Sequence, residues 1–332
     1  MISADPILSA SELTVDFARP DGRTVHAVRG VSFDILRGER VALVGESGSG
    51  KSATARAVLR LDRGATIGGS LRLSGKDVIA ASMKELTQLR GRRASLIMQD
   101  PLAALDPGRR VGDQLIAVLR LSGFSRSGAR TRAIELFDEV GMPQARARMS
   151  SFPFELSGGL RQRVVIALAL AGEPDLLIAD EPTSALDARI SKRILTLLDG
   201  LVTERDLAVL FITHDLAVVG EFAERTIVMY GGRVVEDGAT SSVFGGPLHP
   251  YSAGLLGSVP TAGSGSLKRF VSMPGEPPSA TDEPRGCSFA PRCTFAQEVC
   301  LVERPLLKVH RTPNHLSACH FADDLVASAV PQ

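Results

Sequence analysis

The segment Gly45-Glu46-Ser47-Gly48-Ser49-Gly50-Lys51-Ser52 has the residue types and spacing needed to cradle a polyphosphate. Glycines let the backbone wrap closely around phosphate oxygens, while N–H groups at a helix start supply partial positive charge. Lys51 would reach the outer phosphates and the Ser52 hydroxyl would hold Mg²⁺, with Ala53 continuing the first helical turn. A second half-site lies far downstream. Leu176-Leu177-Ile178-Ala179-Asp180-Glu181 reads as a buried strand ending in two carboxylates, at the strand edge where open α/β sheets present ligands. Asp180 is the expected Mg²⁺ partner, and Glu181 the expected base that polarises an attacking water.

These groups need a scaffold of alternating strands and helices, and the chain supplies one up to about residue 245. Val31 to Ile35 alternates like a half-buried strand, and Val41 to Val44 is a short continuous apolar strand before the glycine-rich turn. Helical spacing follows over Lys51 to Leu61. Leu71 and Leu73 precede the turn signal Ser74-Gly75 and suggest a small antiparallel strand; Ala94 to Met98 is another buried strand. Between Pro101 and Pro153 the pattern becomes helical, with candidates Asp113 to Leu121 and Thr131 to Val140 separated by the Ser/Gly-rich stretch Ser122 to Gly128. Alternation then resumes: helix Leu160 to Ala171, strand Leu176 to Ala179, helix Arg189 to Val202, strands Ala208 to Thr213 and Thr226 to Tyr230. Ile190, Ile194, Leu197, Leu198 and Leu201 fall on one helical face. The expected fold class is α/β, with a mainly parallel core sheet, a small antiparallel β subdomain, a helical subdomain and an irregular Cys-containing extension.

Further motifs carry a resemblance. Leu156-Ser157-Gly158-Gly159-Leu160-Arg161-Gln162-Arg163 resembles the signature of the ATP-binding-cassette ATPases. Ser184-Ala185-Leu186-Asp187 resembles their D-loop, His214 their switch histidine and Gln99 their Q-loop glutamine; Leu160 stands where many members have Gln. The resemblance implies that Ser157, Gly158 and Gly159 cap the γ-phosphate held by a partner subunit, so that ATP closes a dimer and hydrolysis opens it. It assigns catalytic roles to Glu181, His214 and Gln99, and places Asp187 and Gln99 at the nucleotide and its Mg²⁺. Phe17 is the candidate for stacking on adenine, although Arg19-Pro20-Asp21-Gly22-Arg23 looks like an insertion that blurs the register, and a core Phe on a strand is the competing reading.

Phe152-Pro153-Phe154-Glu155, Gln99-Asp100-Pro101-Leu102 with Leu105-Asp106-Pro107, and Leu248-His249-Pro250-Tyr251 narrow the resemblance to dipeptide/oligopeptide importer ATPase subunits. The implied domains are residues 8–245, with a helical subdomain at about 101–160, and an extension over 246–325. The implied partners are a second ATPase subunit (a paralogue or a second copy), two permease subunits and, indirectly, an external peptide-binding protein. The implied location is peripheral, on the cytoplasmic face of the inner membrane. Related importers carry nickel or other small solutes, which leaves the cargo open.

All four cysteines lie late in the chain, spaced Cys287-x5-Cys293-x6-Cys300-x18-Cys319. Such clustering points to metal before disulfides in a reducing compartment. The spacing lacks the tight pairs of zinc fingers. Four thiolates can hold a [4Fe–4S] cluster, which the resemblance implies for this branch, with zinc or no metal as alternatives. His310, His315 and His320 are expected at the surface. The stretches Gly245 to Pro247, Pro260 to Ser266 and Pro274 to Pro284 read as loops, and the last dozen residues as a loose tail.

Composition bounds the rest. The chain has 332 residues, enough for about two domains, and is 44% hydrophobic and 23% charged. Lys and Arg number 38 against 37 Asp and Glu, so no overall basic field draws it to nucleic acid. No apolar run reaches the length of a membrane span, and the N-terminus lacks the pattern of a secretory signal. A soluble cassette ATPase acting on DNA or ribosomes would show a basic face or a duplicated cassette; a catalytically silent module would lack Glu181 or His214.

Overall fold

The computed structural model describes residues 5–184, 186–258, 273, 275–282, 284–310 and 314–325. The chain opens with β1 (Leu8–Ala18), β2 (Thr24–Ile35) and β3 (Arg40–Val44); after the helix Lys51–Val58 come β4 (Ala65–Leu73) and β5 (Lys76–Asp77). Then follow β6 (Ala94–Ile97), β7 (Leu176–Asp180), β8 (Ala208–Thr213), β9 (Arg225–Tyr230), β10 (Arg233–Ala239), β11 (Lys308–Val309) and β12 (Leu316–Ser317). Among the described residues these form two sheets. One is antiparallel, in the order β2-β1-β4-β5; the other runs β11-β12-β10-β9-β3-β8-β7-β6 and is parallel from β9 to β6. The expected α/β class, parallel core and small antiparallel sheet are all present.

Side-chain alternation explains why the middles of the parallel strands are apolar on both faces. On β8, Val209 and Phe211 join the cluster that includes the helices Val111–Leu121, Arg126–Glu139 and Gly158–Leu170. Ala208, Leu210 and Ile212 point the other way, into the cluster shared with β1, β2 and the helix Lys51–Val58. A strand covered on both faces is filled mainly by apolar side chains, and the polar Asp180 and Thr213 sit at the C-terminal ends of β7 and β8. Leu176 to Ala179 follows the same rule, and every residue of β7 is buried.

Helix boundaries differ modestly from expectation. The helix expected over Thr131 to Val140 begins at Arg126, because Ser125 caps it by accepting from the Gly128 N–H at 3.1 Å. The helix Ala188–Arg205 begins where the Asp187 carboxylate accepts from the Ile190 N–H at 2.9 Å, and it buries Ile194, Leu198, Leu201 and Val202.

The largest departure lies beyond residue 240. Two helices that the spacing did not announce, Thr240–Gly245 and Pro250–Gly257, flank the stretch Gly245 to Pro247 expected as loop, and the extension is stitched into the main sheet by β12 pairing with β10. Glu236 on β10 is fully buried; it accepts from the backbone N–H groups of Leu248 (2.7 Å) and His249 (3.0 Å), and its Oε1 lies 2.8 Å from His315 Nε2. His315 is therefore an interior residue, correcting its expected surface position: a buried carboxylate needs a donor or cation. Of the last dozen residues, Ala322–Leu325 is helical. Pro260 to Ser266, Pro274 and the residues after 325 lie outside the described residues.

Candidate nucleotide site

The Gly45–Ser52 loop joins the C-terminal end of β3 to the helix Lys51–Val58. Two glycines are required here. Gly45 has φ +152°, and a Cβ on it would lie 2.2 Å from the Met229 carbonyl oxygen; one on Gly50, at φ +100°, would lie 2.4 Å from that of Ala27. The loop is thus pressed against β9 on one side and β2 on the other.

Lys51 is 6% exposed, and its Nζ donates to the carbonyls of Gly45 and Glu46, each at 2.8 Å, and to Ser49 Oγ at 3.3 Å. The ammonium is folded back on its own loop. Burial lowers its pKa, opposed by the charges of Glu181, Asp180 and Glu46. Ser47 and Gly48 are exposed at the rim and Ala53 is buried in the first helical turn.

The downstream half-site meets the loop. Ser52 Oγ donates to Asp180 Oδ1 at 3.0 Å, and burial raises the Asp180 pKa against that hydrogen bond. One residue on, Glu181 leaves the strand in the left-handed region with φ +47°, its N–H donating to the Ile212 carbonyl at 2.9 Å. That uncommon conformation turns its carboxylate toward Gln99 and His214. Gln99 Nε2 donates to Glu181 Oε2 at 2.8 Å, and His214 Nδ1 lies 3.0 Å from Glu181 Oε1. Sequence positions 51, 52, 99, 180, 181 and 214 are thereby brought to the C-terminal ends of neighbouring strands. An open cleft of about 540 Å³, lined in part by Glu181, Thr183, Ser184 and His214, runs beside them.

Ser157 and Gly158 are exposed at the start of the helix Gly158–Leu170, and the Ser157 side chain does not cap that helix. Gly159 is buried: a Cβ there would meet Ile190 Cγ2 at 2.8 Å. Gly158 faces Leu186, so the signature segment packs on the segment leading to Asp187; Ala185 lies outside the described residues. Phe17 is on β1, half-buried against the core and paired with Val25.

The cysteine expectation is corrected. Cys287, Cys293, Cys300 and Cys319 line one small apolar cavity with Phe289, Phe295 and Pro305, and none is in a disulfide. Yet among the described residues no set of three or more His, Cys, Asp or Glu side chains is arranged to hold a metal ion, which overturns the [4Fe–4S] assignment and its zinc alternative. The surroundings favour neutral thiols. Burial pushes Cys287 and Cys293 up, and Cys319 up to about 11, whereas metal ligation requires thiolates. The four side chains serve as core of the extension.

Contacts that the sequence did not reveal join that extension to the loop. Arg292 makes a two-pronged ion pair with Glu46, and the Glu46 N–H donates to Tyr251 Oη at 2.7 Å. These partners are 246 and 205 positions from Glu46, and no local pattern announces them.

Comparison with known proteins agrees with the geometry. The family described as "ABC transporter" matches residues 28–184, and "Oligopeptide/dipeptide transporter, C-terminal region" matches residues 235–300. The oligopeptide transport ATP-binding protein OppD of Salmonella typhimurium (strain LT2) is 45% identical over 318 residues, covering 95% of this chain and 94% of that protein. The chain belongs to the ABC transporter ATPases. OppD of Escherichia coli (strain K12) is 44% identical over 318 residues, covering 95% and 93% of the two chains, and OppD of Bacillus subtilis (strain 168) is 43% identical over 317 residues, covering 94% and 88%. Among solved structures, a dimeric ATP-binding cassette in a post-hydrolysis state with ADP and Pi superposes with a TM-score of 0.63 at 29% identity, covering 70% of this ABC ATPase and 98% of that chain. The expected fold and enzyme class therefore stand. No described helix is long and apolar enough to cross a membrane.

Proposed function

We propose that this ABC ATPase drives the import of di- and oligopeptides, as a peripheral subunit on the cytoplasmic face of the inner membrane. The observation that carries the reading is the convergence of Ser52, Asp180, Gln99, Glu181 and His214 at the phosphate loop. Near-full-length similarity to oligopeptide transport ATP-binding proteins supports peptide as cargo.

Gly45, Glu46, Ser47, Gly48, Ser49, Gly50, Lys51, Ser52 and Ala53 form the polyphosphate cradle, and Phe17 is the adenine-stacking candidate. Ser52 Oγ and Asp180, 3.0 Å apart, would hold Mg²⁺ together with the side-chain oxygen of Gln99, a set of hard oxygen donors that suits that ion. That ion neutralises phosphate charge when bound. Glu181 orients the attacking water and accepts its proton at a carboxylate oxygen; His214 and Gln99 hold that carboxylate from either side. On nucleotide binding Lys51 exchanges the carbonyls of Gly45 and Glu46 for phosphate oxygens. Ser157, Gly158, Gly159 and Asp187 complete the site of a partner subunit, for which the unused Ser157 hydroxyl is available.

The division into an ATPase domain (8–245, with a helical subdomain at about 101–160) and an extension (246–325) belongs to the same proposal. So do two permease subunits and an external peptide-binding protein. Exposed Met98, Leu102 and Phe154, which flank Gln99 and precede the signature, support permease docking on this side. The test is reconstitution with both permeases and the second ATPase subunit in proteoliposomes. Peptide-loaded binding protein should stimulate ATP hydrolysis and peptide should accumulate. Stimulation by another solute but not by peptide would reassign the cargo.

A further inference from the structure

We infer that Arg292, in the C-terminal extension, is a positioning residue of the ATP site, holding the second residue of the phosphate loop and neutralising its charge. This rests on the reading of Gly45–Ser52 as the nucleotide loop.

The geometry is specific. Arg292 Nη1 donates to Glu46 Oε2 at 2.8 Å and Nη2 to Glu46 Oε1 at 3.1 Å, the parallel fork that a guanidinium makes and an ammonium cannot. The Arg292 side chain is only 5% exposed and that of Glu46 24%, so the pair is weakly screened. Arg292 is itself located from several sides: Nη1 reaches Tyr230 Oη at 3.2 Å, and the guanidinium carbon lies 5.7 Å from the Tyr230 ring centroid and 5.9 Å from that of Phe289. The Tyr230 ring packs in turn against that of Tyr251, with centroids 4.5 Å apart and planes tilted by 51°. Tyr251 Oη accepts the Glu46 N–H, so both the backbone and the side chain of Glu46 are held from the extension.

Glu46 is a sensitive place to hold. Its carbonyl and that of Gly45 carry the Lys51 ammonium, and the next four residues are the ones that wrap the phosphates. Its carboxylate is an anion beside a site for a more strongly charged anion. Paired with Arg292 it is silent; unpaired, it would repel the triphosphate and free the loop to move. Nucleotide affinity thereby becomes a property of the extension as well as of the cassette.

Titration of the full-length chain with a fluorescent N-methylanthraniloyl ATP and Mg²⁺ tests this. Arg292→Gln should raise Kd by about five- to tenfold, and Arg292→Lys by about threefold, with nucleotide-free melting temperatures that show both folded. The Glu46→Gln/Arg292→Gln double variant should return to within about twofold of Glu46→Gln alone, because the liberated charge is gone. A Kd for Arg292→Gln within error of wild type overturns the inference. So does a double variant whose losses simply multiply, since that is how a general structural role behaves. Should Arg292→Gln fail to fold, Arg292→Lys decides: an unchanged Kd overturns the inference. Wild-type protein that binds no nucleotide would instead sink the loop reading, and this inference with it.

Discussion

Gln99 donates from Nε2 to Oε2 of Glu181 at 2.8 Å, joining the loop after β6 to the carboxylate after β7. The contact links the carboxylate proposed as the base to the segment that leads into the helices from Pro101 onward. With His214 on the other oxygen, Glu181 is oriented from both sides. Glu181→Gln keeps the shape and removes the base. In the assembled transporter it should lower ATP turnover about 10²- to 10⁴-fold while nucleotide binding stays within a few-fold of wild type. Unaltered turnover in a multiple-turnover phosphate-release assay would show that this chain's site is the silent one of its pair.

Ser157 and Gly158 stand exposed at a helix start; on the proposed shared-site reading, a negative charge added there would face the phosphate of the partner's nucleotide. Gly158→Asp should leave ATP binding to the chain's own loop intact and weaken ATP-dependent association at least about tenfold in a Glu181→Gln background. Size-exclusion chromatography with the cognate partner, with and without MgATP, reads the difference. Equal dimer yields for the two proteins would contradict the shared-site reading.

The phosphate loop distinguishes two glycines by what surrounds them. A Cβ on Gly45 would lie 2.2 Å from backbone oxygen, whereas Gly48, at φ +80°, has open space. Gly48→Ala should therefore cost only conformational strain, about 1–2 kcal/mol. Gly45→Ala must also displace β9 or the loop and should cost clearly more. Chemical denaturation of the two variants side by side measures this; equal losses would count against the packing explanation.

His249 is fully enclosed and its pKa is lowered to about 3 by burial, so it is neutral in the folded chain, with Nδ1 accepting from the Tyr251 N–H. In the unfolded chain it titrates near 6.5, so between about pH 6.5 and 3 the unfolded state binds the extra proton and stability falls as pH falls. The slope from this one group approaches about 1.4 kcal/mol per pH unit. His249→Asn keeps an acceptor for that N–H and should flatten the decline between pH 7 and 5 relative to wild type in denaturant melts. Parallel curves would exclude His249 as its source.

Much of this molecule could be read locally. The octapeptide at residue 45, the strand ending at Asp180 and the cassette motifs are contiguous, because phosphate wrapping and strand-end carboxylates need specific residues in a row. The loop end of β3 and the helix after it lie where the spacing put them. Gly159 and Ile190 had separate local signals, a glycine pair and an apolar helical face, yet only the fold shows the one packed against the other. The extension was harder. β10 begins Arg233-Val234-Val235-Glu236, and a glutamate after two valines was the one hint of a buried charge awaiting a partner; His315, 79 residues on, could not be named from it. The cysteines misled for the opposite reason. Their clustering is genuine, but clustering also arises when small apolar side chains fill one cavity between short elements.

The pairing of β12 with β10 has a practical corollary for anyone trimming this protein. Cutting after residue 245 would strip the outermost ladder and bare an unprotected row of amide and carbonyl groups, together with a Glu236 that has lost the donors of Leu248, His249 and His315. Such a fragment should associate through that edge more readily than the full chain does.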